Sequence, residues 1–94
     1  MKNYEMIVVF KPNLEEEVRN SGLERLYEAI NANGTVGEVG DWGQKKLAYE
    51  INYIKEGHYY LVNFQADPSV ITEVERRSQI QDSIIRYMVI SKEA

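Results

Sequence analysis

The chain has no cysteine, one histidine, one tryptophan and two prolines in 94 residues. Without cysteine there are no disulfides, no thiolate zinc sites and no cysteine nucleophiles, which fits a reducing compartment. With a single imidazole there is no histidine cluster to bind a metal. Nor is there an apolar run approaching the roughly 20 residues of a membrane-spanning helix. The opening Met1-Lys2-Asn3-Tyr4-Glu5 leads into a short apolar run with no small-residue cleavage pattern, so no signal peptide is expected and the cytoplasm is the default compartment. Basic residues are also in the minority, 11 against 15 acidic, for a formal net charge of -4. That balance argues against a bulk-electrostatic nucleic-acid binder, although phosphate contacts depend on local clusters. A chain of this length is expected to form one domain, residues 1–94, with a modest core and no interdomain cleft.

What is present has clear periodicity. Glu5 to Phe10 reads as a strand whose two faces are both apolar, which marks a central strand. Asn13 is placed to cap a helix, with Glu16 closing a capping box and Glu15, Glu16 and Glu17 at the positive end of the dipole. Leu14, Val18, Leu23, Leu26, Tyr27 and Ile30 form its apolar face. Gly22 lies on that stripe and is either a tolerated defect or a point of close approach to a sheet; the second is favoured. Asn33-Gly34 is the expected left-handed stop. A second strand starts at Thr35, bends or bulges near Gly40 to Gly43 and resumes from Lys45 to Ile51. Lys55-Glu56-Gly57 is the expected turn into a third strand, His58 to Gln65, again apolar on both faces. Asp67-Pro68 opens a second helix that runs to about Gln79 with Val70, Ile71 and Val74 inward, and Ile84 to Ile90 is a fourth strand.

The order β-α-β-β-α-β predicts an α+β, ferredoxin-like sandwich: a four-stranded antiparallel sheet with both helices on one face and the first and third strands central. Its open face is where function is expected. Two-sided apolar strands leave more large side chains than one covered face can hold. Either the aromatics cover one another, or a partner docks there, and seven tyrosines with one tryptophan favour the partner. Lys2, Lys45, Lys46, Arg86 and Lys92 lie on strands or at their ends, while Glu15, Glu16, Glu17, Glu24 and Glu28 crowd the first helix. A basic strip on the sheet layer can therefore meet phosphates despite the net charge. Arg76-Arg77 either joins it or pairs with Glu73.

Catalysis finds no support. His58 reads as a strand residue, Asp67 as a cap, and Asp67, Asp82 and Glu50 are too dispersed for an acid/base pair. There is no phosphate-cradling glycine loop. The segment His58-Tyr59-Tyr60-Leu61-Val62-Asn63-Phe64 has aromatics but not the leading basic residue and glycines of the common single-stranded RNA module, so base stacking of that type is a runner-up. No catalytic residue, metal or cofactor is expected. The long hairpin between the second and third strands offers Trp42, Tyr49, Tyr53 and Tyr59 as candidate anchors for a protein partner.

The run Asp41-Trp42-Gly43-Gln44-Lys45-Lys46-Leu47-Ala48-Tyr49-Glu50-Ile51 sets a turn, a basic pair and an alternating strand side by side. Together with Met1-Lys2-Asn3-Tyr4-Glu5, Lys11-Pro12-Asn13-Leu14, Asn33-Gly34, Gly57-His58-Tyr59-Tyr60 and Asp82-Ser83-Ile84-Ile85-Arg86-Tyr87-Met88-Val89, it closely resembles the bacterial small-subunit ribosomal protein six family. The resemblance runs from Tyr4 to Ile90. It implies the same sandwich, no enzymatic activity, and a structural role in the small ribosomal subunit. It further implies binding to the central domain of the small-subunit ribosomal RNA as a heterodimer with small-subunit ribosomal protein eighteen. By position it makes Lys2, Tyr4, Arg86 and Lys92 the RNA-side candidates. Some relatives place a basic residue where Ser91 stands, and some carry an acidic tail that does not follow Ala94 here. The competing readings are a small regulatory ligand-binding domain of the same fold, which needs a pocket with converging polar groups, and a small hydrolase, which needs a phosphate loop after the first strand.

Overall fold

A computed structural model of the chain describes residues 1–51 and 53–92. The elements are β1 (Lys2–Phe10), α1 (Glu16–Asn31), β2 (Gly34–Ile51), β3 (Ile54–Ala66), α2 (Val70–Gln79) and β4 (Ile84–Ser91). They form one four-stranded sheet in the order β2-β3-β1-β4, with every neighbouring pair antiparallel. The two strands with two apolar faces, β1 and β3, are the central ones, as their composition requires.

Strand alternation divides the side chains between two faces. Tyr4, Met6, Val8 and Phe10 of β1 meet Tyr60, Val62, Phe64 and Ala66 of β3 on the helix-covered face, and all eight are buried. Leu23, Leu26, Ala29 and Ile30 of α1 and Val70 and Val74 of α2 close the core over them. Phe10 packs edge-on against Tyr60, with ring centroids 5.6 Å apart.

The expected helix boundaries need correction. Asn13 is not a cap: it takes the left-handed conformation, φ 63, and turns the chain after Pro12. The helix starts later, with Glu15 at the N-cap and no side-chain cap bond, so no capping box forms. Glu16 and Glu17 still sit in the first turn, where the dipole favours them. Arg19 does the fastening instead. Its Nε donates to the Tyr60 hydroxyl at 2.9 Å and its Nη1 to the Leu14 carbonyl at 2.6 Å, tying helix, loop and β3 together. With the start displaced, Val18 turns outward and is exposed.

Asn33-Gly34 is likewise no left-handed stop. The helix ends through Ala32 in the right-handed region, and Asn33 and Gly34 lack positive φ. Gly34 is needed for strand approach: a Cβ there would stand 2.6 Å from Cβ of Ala66. The turn expected at Lys55-Glu56-Gly57 is also displaced. Those residues belong to β3, and the hairpin closes at the pair Ile51↔Ile54, with Tyr53 at φ 68. β2 ends at Ile51 as its alternation predicts, whereas β3 starts four residues before the expected His58, because Ile54 to Gly57 carry no alternation to read.

Two other expectations hold, at the bulge and at Gly22. The β2 ladder shifts register between Asp41 and Gly43, with Gly43 at φ 75, so the bulge lies where the glycines place it. The second helix, by contrast, starts later than Asp67-Pro68 suggests: Ser69 is the N-cap with no side-chain cap bond, and Asp67 Oδ1 accepts the Ser69 N–H at 2.9 Å in the turn before it. Gly22 marks a close approach. A Cβ at that position would lie 2.8 Å from Cε1 of Phe10 and 2.8 Å from Oε1 of the buried Gln81, whose amide donates to the Gly22 carbonyl at 3.3 Å.

Gly22→Ala therefore tests the packing. Helix propensity alone favours alanine by about 1 kcal/mol. Overpacking against the fully buried Phe10 costs about 1–3 kcal/mol and should win. Urea unfolding is expected to show a lowered midpoint with unchanged slope. A raised midpoint would mean that the helix has room to move off the sheet.

Candidate functional site

The face opposite the helices is assembled row by row from the strand register. One end carries Arg86, Val9 and Tyr59, beside Gly43 of β2. The next row is Met88, Ile7, Leu61 and Gly40, followed by Ile90, Glu5 and Asn63. The far end carries Asn3, Gln65 and Thr35, with the Lys92 N–H bonded to the Asn3 carbonyl at 2.9 Å. The face thus runs from apolar to polar along the strands. No helix covers it, yet Met88 is 47% exposed and Ile90 40%.

At the apolar end, Ile7, Val9, Tyr59, Arg86 and Met88 surround a groove of about 160 Å³. The guanidinium carbon of Arg86 lies 5.5 Å from the ring centre of Tyr49. This contact shows how the hairpin is shaped. β2 and β4 are opposite edges of the sheet, three strand spacings or about 14 Å apart. Regular pairing of β2 with β3 breaks between Lys46 and Ile51. The outer hairpin must therefore arch back over the open face for Tyr49 to reach Arg86. The contact is a cation–π pair, worth about 0.5–1 kcal/mol at an exposed site.

The four aromatic candidates occupy different places. Tyr59 is half-buried in the groove wall, and Tyr49 stands over Arg86 beside it. Trp42 sits at the bulge, half-exposed, with its Nε1 over Gly40 and the Lys45 ammonium 5.1 Å from its ring. Tyr53 projects from the hairpin tip and is 93% exposed.

The four RNA-side candidates are not brought together. Lys92 lies at the polar end of the open face, while Lys2, opposite Ala66, alternates to the helix side at that same end; both are exposed. Arg86 lies six residues from Lys92 along β4, roughly 20 Å at the rise of an extended strand. Tyr4 is on the other face, 7% exposed and stacked on Phe64 with ring centroids 5.4 Å apart. Its ring is a core side chain, so it offers no free face on which a base can stack.

Two further polar groupings are structural. His58 Nε2 lies 2.6 Å from Asp41 Oδ1, which also accepts the Gly43 N–H at 2.9 Å, so the pair pins the bulge to β3. Partial desolvation opposes ionisation of Asp41. The Gly43 and His58 hydrogen bonds, with the charges of His58 and Arg19, outweigh it and hold the carboxyl below its ordinary range. Arg76 and Arg77 both bond Glu73, at 2.7 Å, and Arg77 also reaches the Arg25 carbonyl at 2.9 Å. That arginine pair fastens α2 and is not part of the sheet's basic strip. Among the described residues no group of three or more metal-ligating side chains occurs, and no helix is long and apolar enough to cross a membrane.

A sequence model of the family described as Ribosomal protein S6 matches residues 3–91. The chain belongs to the ribosomal protein S6 family. It is 46% identical over 93 residues to small ribosomal subunit protein bS6 of Alkaliphilus oremlandii, with 99% of each chain covered. It is 42% identical over 94 residues to the bS6 protein of Clostridium novyi, again with 99% of each covered. Among solved structures, the crystal structure of 30S ribosomal protein S6 from Thermotoga maritima superposes with a TM-score of 0.88 at 30% identity, covering 97% of this chain and 87% of that one. A protein from Arabidopsis thaliana shares the fold alone, with a TM-score of 0.62 at 11% identity.

Within this S6-family chain, reading the sequence missed Arg19, Gln81 and the polar row of Asn3, Gln65 and Thr35. The alternation of Asn63 and Gln65 with Val62 and Phe64 was the available signal for the last.

The Glu73 cluster makes a pH prediction. Hydrogen bonds from Arg76 and Arg77 pull the Glu73 carboxyl from the ordinary 4.5 down to about 2. A depressed folded-state value gives stability that is present above pH 4.5 and is lost as pH falls toward 2. The cluster is at the surface, so solvent screens it and the effect is small. Glu73→Gln should lower thermal stability slightly at neutral pH, with the variant and parent curves converging between pH 4.5 and 2. Curves that stay parallel through that window would show that the pairing does not contribute.

Proposed function

We propose that the chain is a non-enzymatic component of the small ribosomal subunit in the cytoplasm. In this reading it binds the central domain of the small-subunit ribosomal RNA together with small-subunit ribosomal protein eighteen. The observation that carries the reading is the uncovered sheet face, apolar at one end and lysine-flanked at the other. Its membership in the S6 family supplies the assembly, and its relatives are named as small-subunit proteins.

The division of labour follows from charge and position. The apolar end, with Tyr49, Tyr59 and Trp42 around the groove, takes the protein partner, because large half-exposed aromatics suit interface cores. Tyr53, at the hairpin tip, reaches the rim. Lys2 and Lys92 meet phosphates at the polar end. Arg86 is near the groove, so it serves the partner side first and the RNA only beyond it. A net charge of -4 makes the isolated chain a poor RNA ligand. A basic partner supplies most of the phosphate neutralisation, and the pair binds with steep salt dependence.

Sucrose-gradient fractionation of ribosomes tests the assembly: the chain should be stoichiometric with the small subunit, and its absence there would sink the reading. Titration of alanine variants tests the surfaces. Tyr59→Ala should cost at least about 2 kcal/mol in partner affinity, as for a buried interface anchor. Lys2→Ala and Lys92→Ala in the assembled pair should weaken matched and mismatched RNA alike and flatten the salt slope by about 0.7–0.9 per contact. Unchanged affinities in folded variants would mean that the surfaces are misplaced.

A further inference from the structure

The polar end of the open face has the form of a slot for a flat group. Asn3, Thr35, Gly37, Asn63, Gln65 and Lys92 line a depression of about 200 Å³. Drug-sized ligands need pockets of about 300 Å³ or more, so this one suits a single base-sized ring. Its opening comes from the backbone. β2 shifts register between Val36 and Val39, and position 37 carries no side chain, which leaves a gap in the side-chain layer next to Asn63.

The polar groups in the slot are not equivalent. The Asn63 amide donates to the Glu38 carbonyl at 3.3 Å, and its Oδ1 accepts from Lys92 Nζ at 3.1 Å. Those two bonds fix the plane of Asn63 and hold the Lys92 ammonium at the slot's edge. Gln65 is exposed, and its side-chain amide has no partner among the described residues. A carboxamide presents one donor edge and one acceptor edge in a plane, the pattern that pairs with the edge of an unpaired base. Glu5 lies opposite Asn63 on the inner side of the slot, and Glu38 in the bulge of β2. The cation lining the slot is Lys92, held at its edge by Asn63. A phosphate attached to a base in the slot is therefore accommodated beside Lys92.

We propose that this slot takes one unpaired nucleobase of the bound RNA, with Gln65 hydrogen-bonding its edge, Asn63 flanking it and Lys92 holding the adjacent phosphate. The inference rests on the RNA-binding reading above and adds a base-reading residue to it. An extended peptide is the less suitable occupant. It would add to the free backbone edge of β2, not lie across the face, and it brings no phosphate for Lys92.

The test is binding of the assembled pair to a central-domain RNA fragment and to a panel in which each unpaired base is changed singly. Gln65 is exposed and makes no side-chain bond among the described residues, so Gln65→Ala should leave the melting temperature unchanged. It is expected to lose about 5- to 150-fold for the matched RNA, the range for one base-edge contact. It should also abolish the penalty for changing one particular base and leave the salt slope untouched. Lys92→Ala should instead lower the slope and keep that base preference. Parent-like affinity and base preference in Gln65→Ala would overturn the slot while leaving RNA binding intact. Loss of affinity for the protein partner would overturn it in favour of a peptide. Failure of the parent pair to bind any RNA of the panel would sink the functional reading itself, and the slot with it.

Discussion

Two helices cover one face of a four-stranded sheet and no more. In this chain β1 and β3 also carry apolar side chains on the other face, Ile7, Val9, Tyr59 and Leu61, which the helices do not cover. Everything on the open face follows from that constraint. Val9 is buried because Tyr59 and Arg86 flank it across the two ladders, and the outer hairpin arches over so that Tyr49 can meet Arg86. This self-cover is incomplete. Met88, Ile90 and Trp42 remain about half-exposed, and contiguous apolar surface of this kind marks a docking site more often than an accident.

The helix layer is fastened to the sheet by a few buried or half-buried polar side chains. Arg19 ties α1 to β3, Gln81 fills the gap above Gly22, and the Asp41–His58 pair pins the bulge from which the hairpin springs. Few of these side chains bear on the open face directly. Their effect is to give the hairpin a defined root, so that the aromatic wall is held in one place. Preorganisation of that kind lowers the ordering cost of binding.

Much of the fold was legible in the residues. Two-sided apolar runs marked the central strands, glycine spacing marked the bulge, and a glycine on an apolar helical stripe marked the close approach at Gly22. Local signals failed where tertiary contacts took over. Asn13 had the chemistry of a cap but was used for a left-handed turn, and Gly34 had the look of a helix stop but is there for strand contact with Ala66. The hairpin turn was displaced because Lys55-Glu56-Gly57 have turn chemistry but extend β3, with Glu56 and Gly57 paired to Lys46 and Lys45 of β2. The site was harder to read. Tyrosine composition pointed to an interface, but only register separates Tyr4, in the core, from Tyr59, on the open face. Register likewise sets Arg86 apart from Lys2 and Lys92, and gathers Asn63, Gln65 and Lys92, which are distant in sequence.

The central claim is that the open sheet face, not the helix layer, is the buried surface in the assembled particle. Oxidative side-chain footprinting of the free chain and of the small ribosomal subunit measures this most directly. Met88, Trp42, Tyr49 and Tyr59 should be labelled in the free chain and strongly protected in the subunit, while Val18 on the outer side of α1 keeps its reactivity. Equal labelling of the four in both states, or protection confined to the helices, would contradict the account.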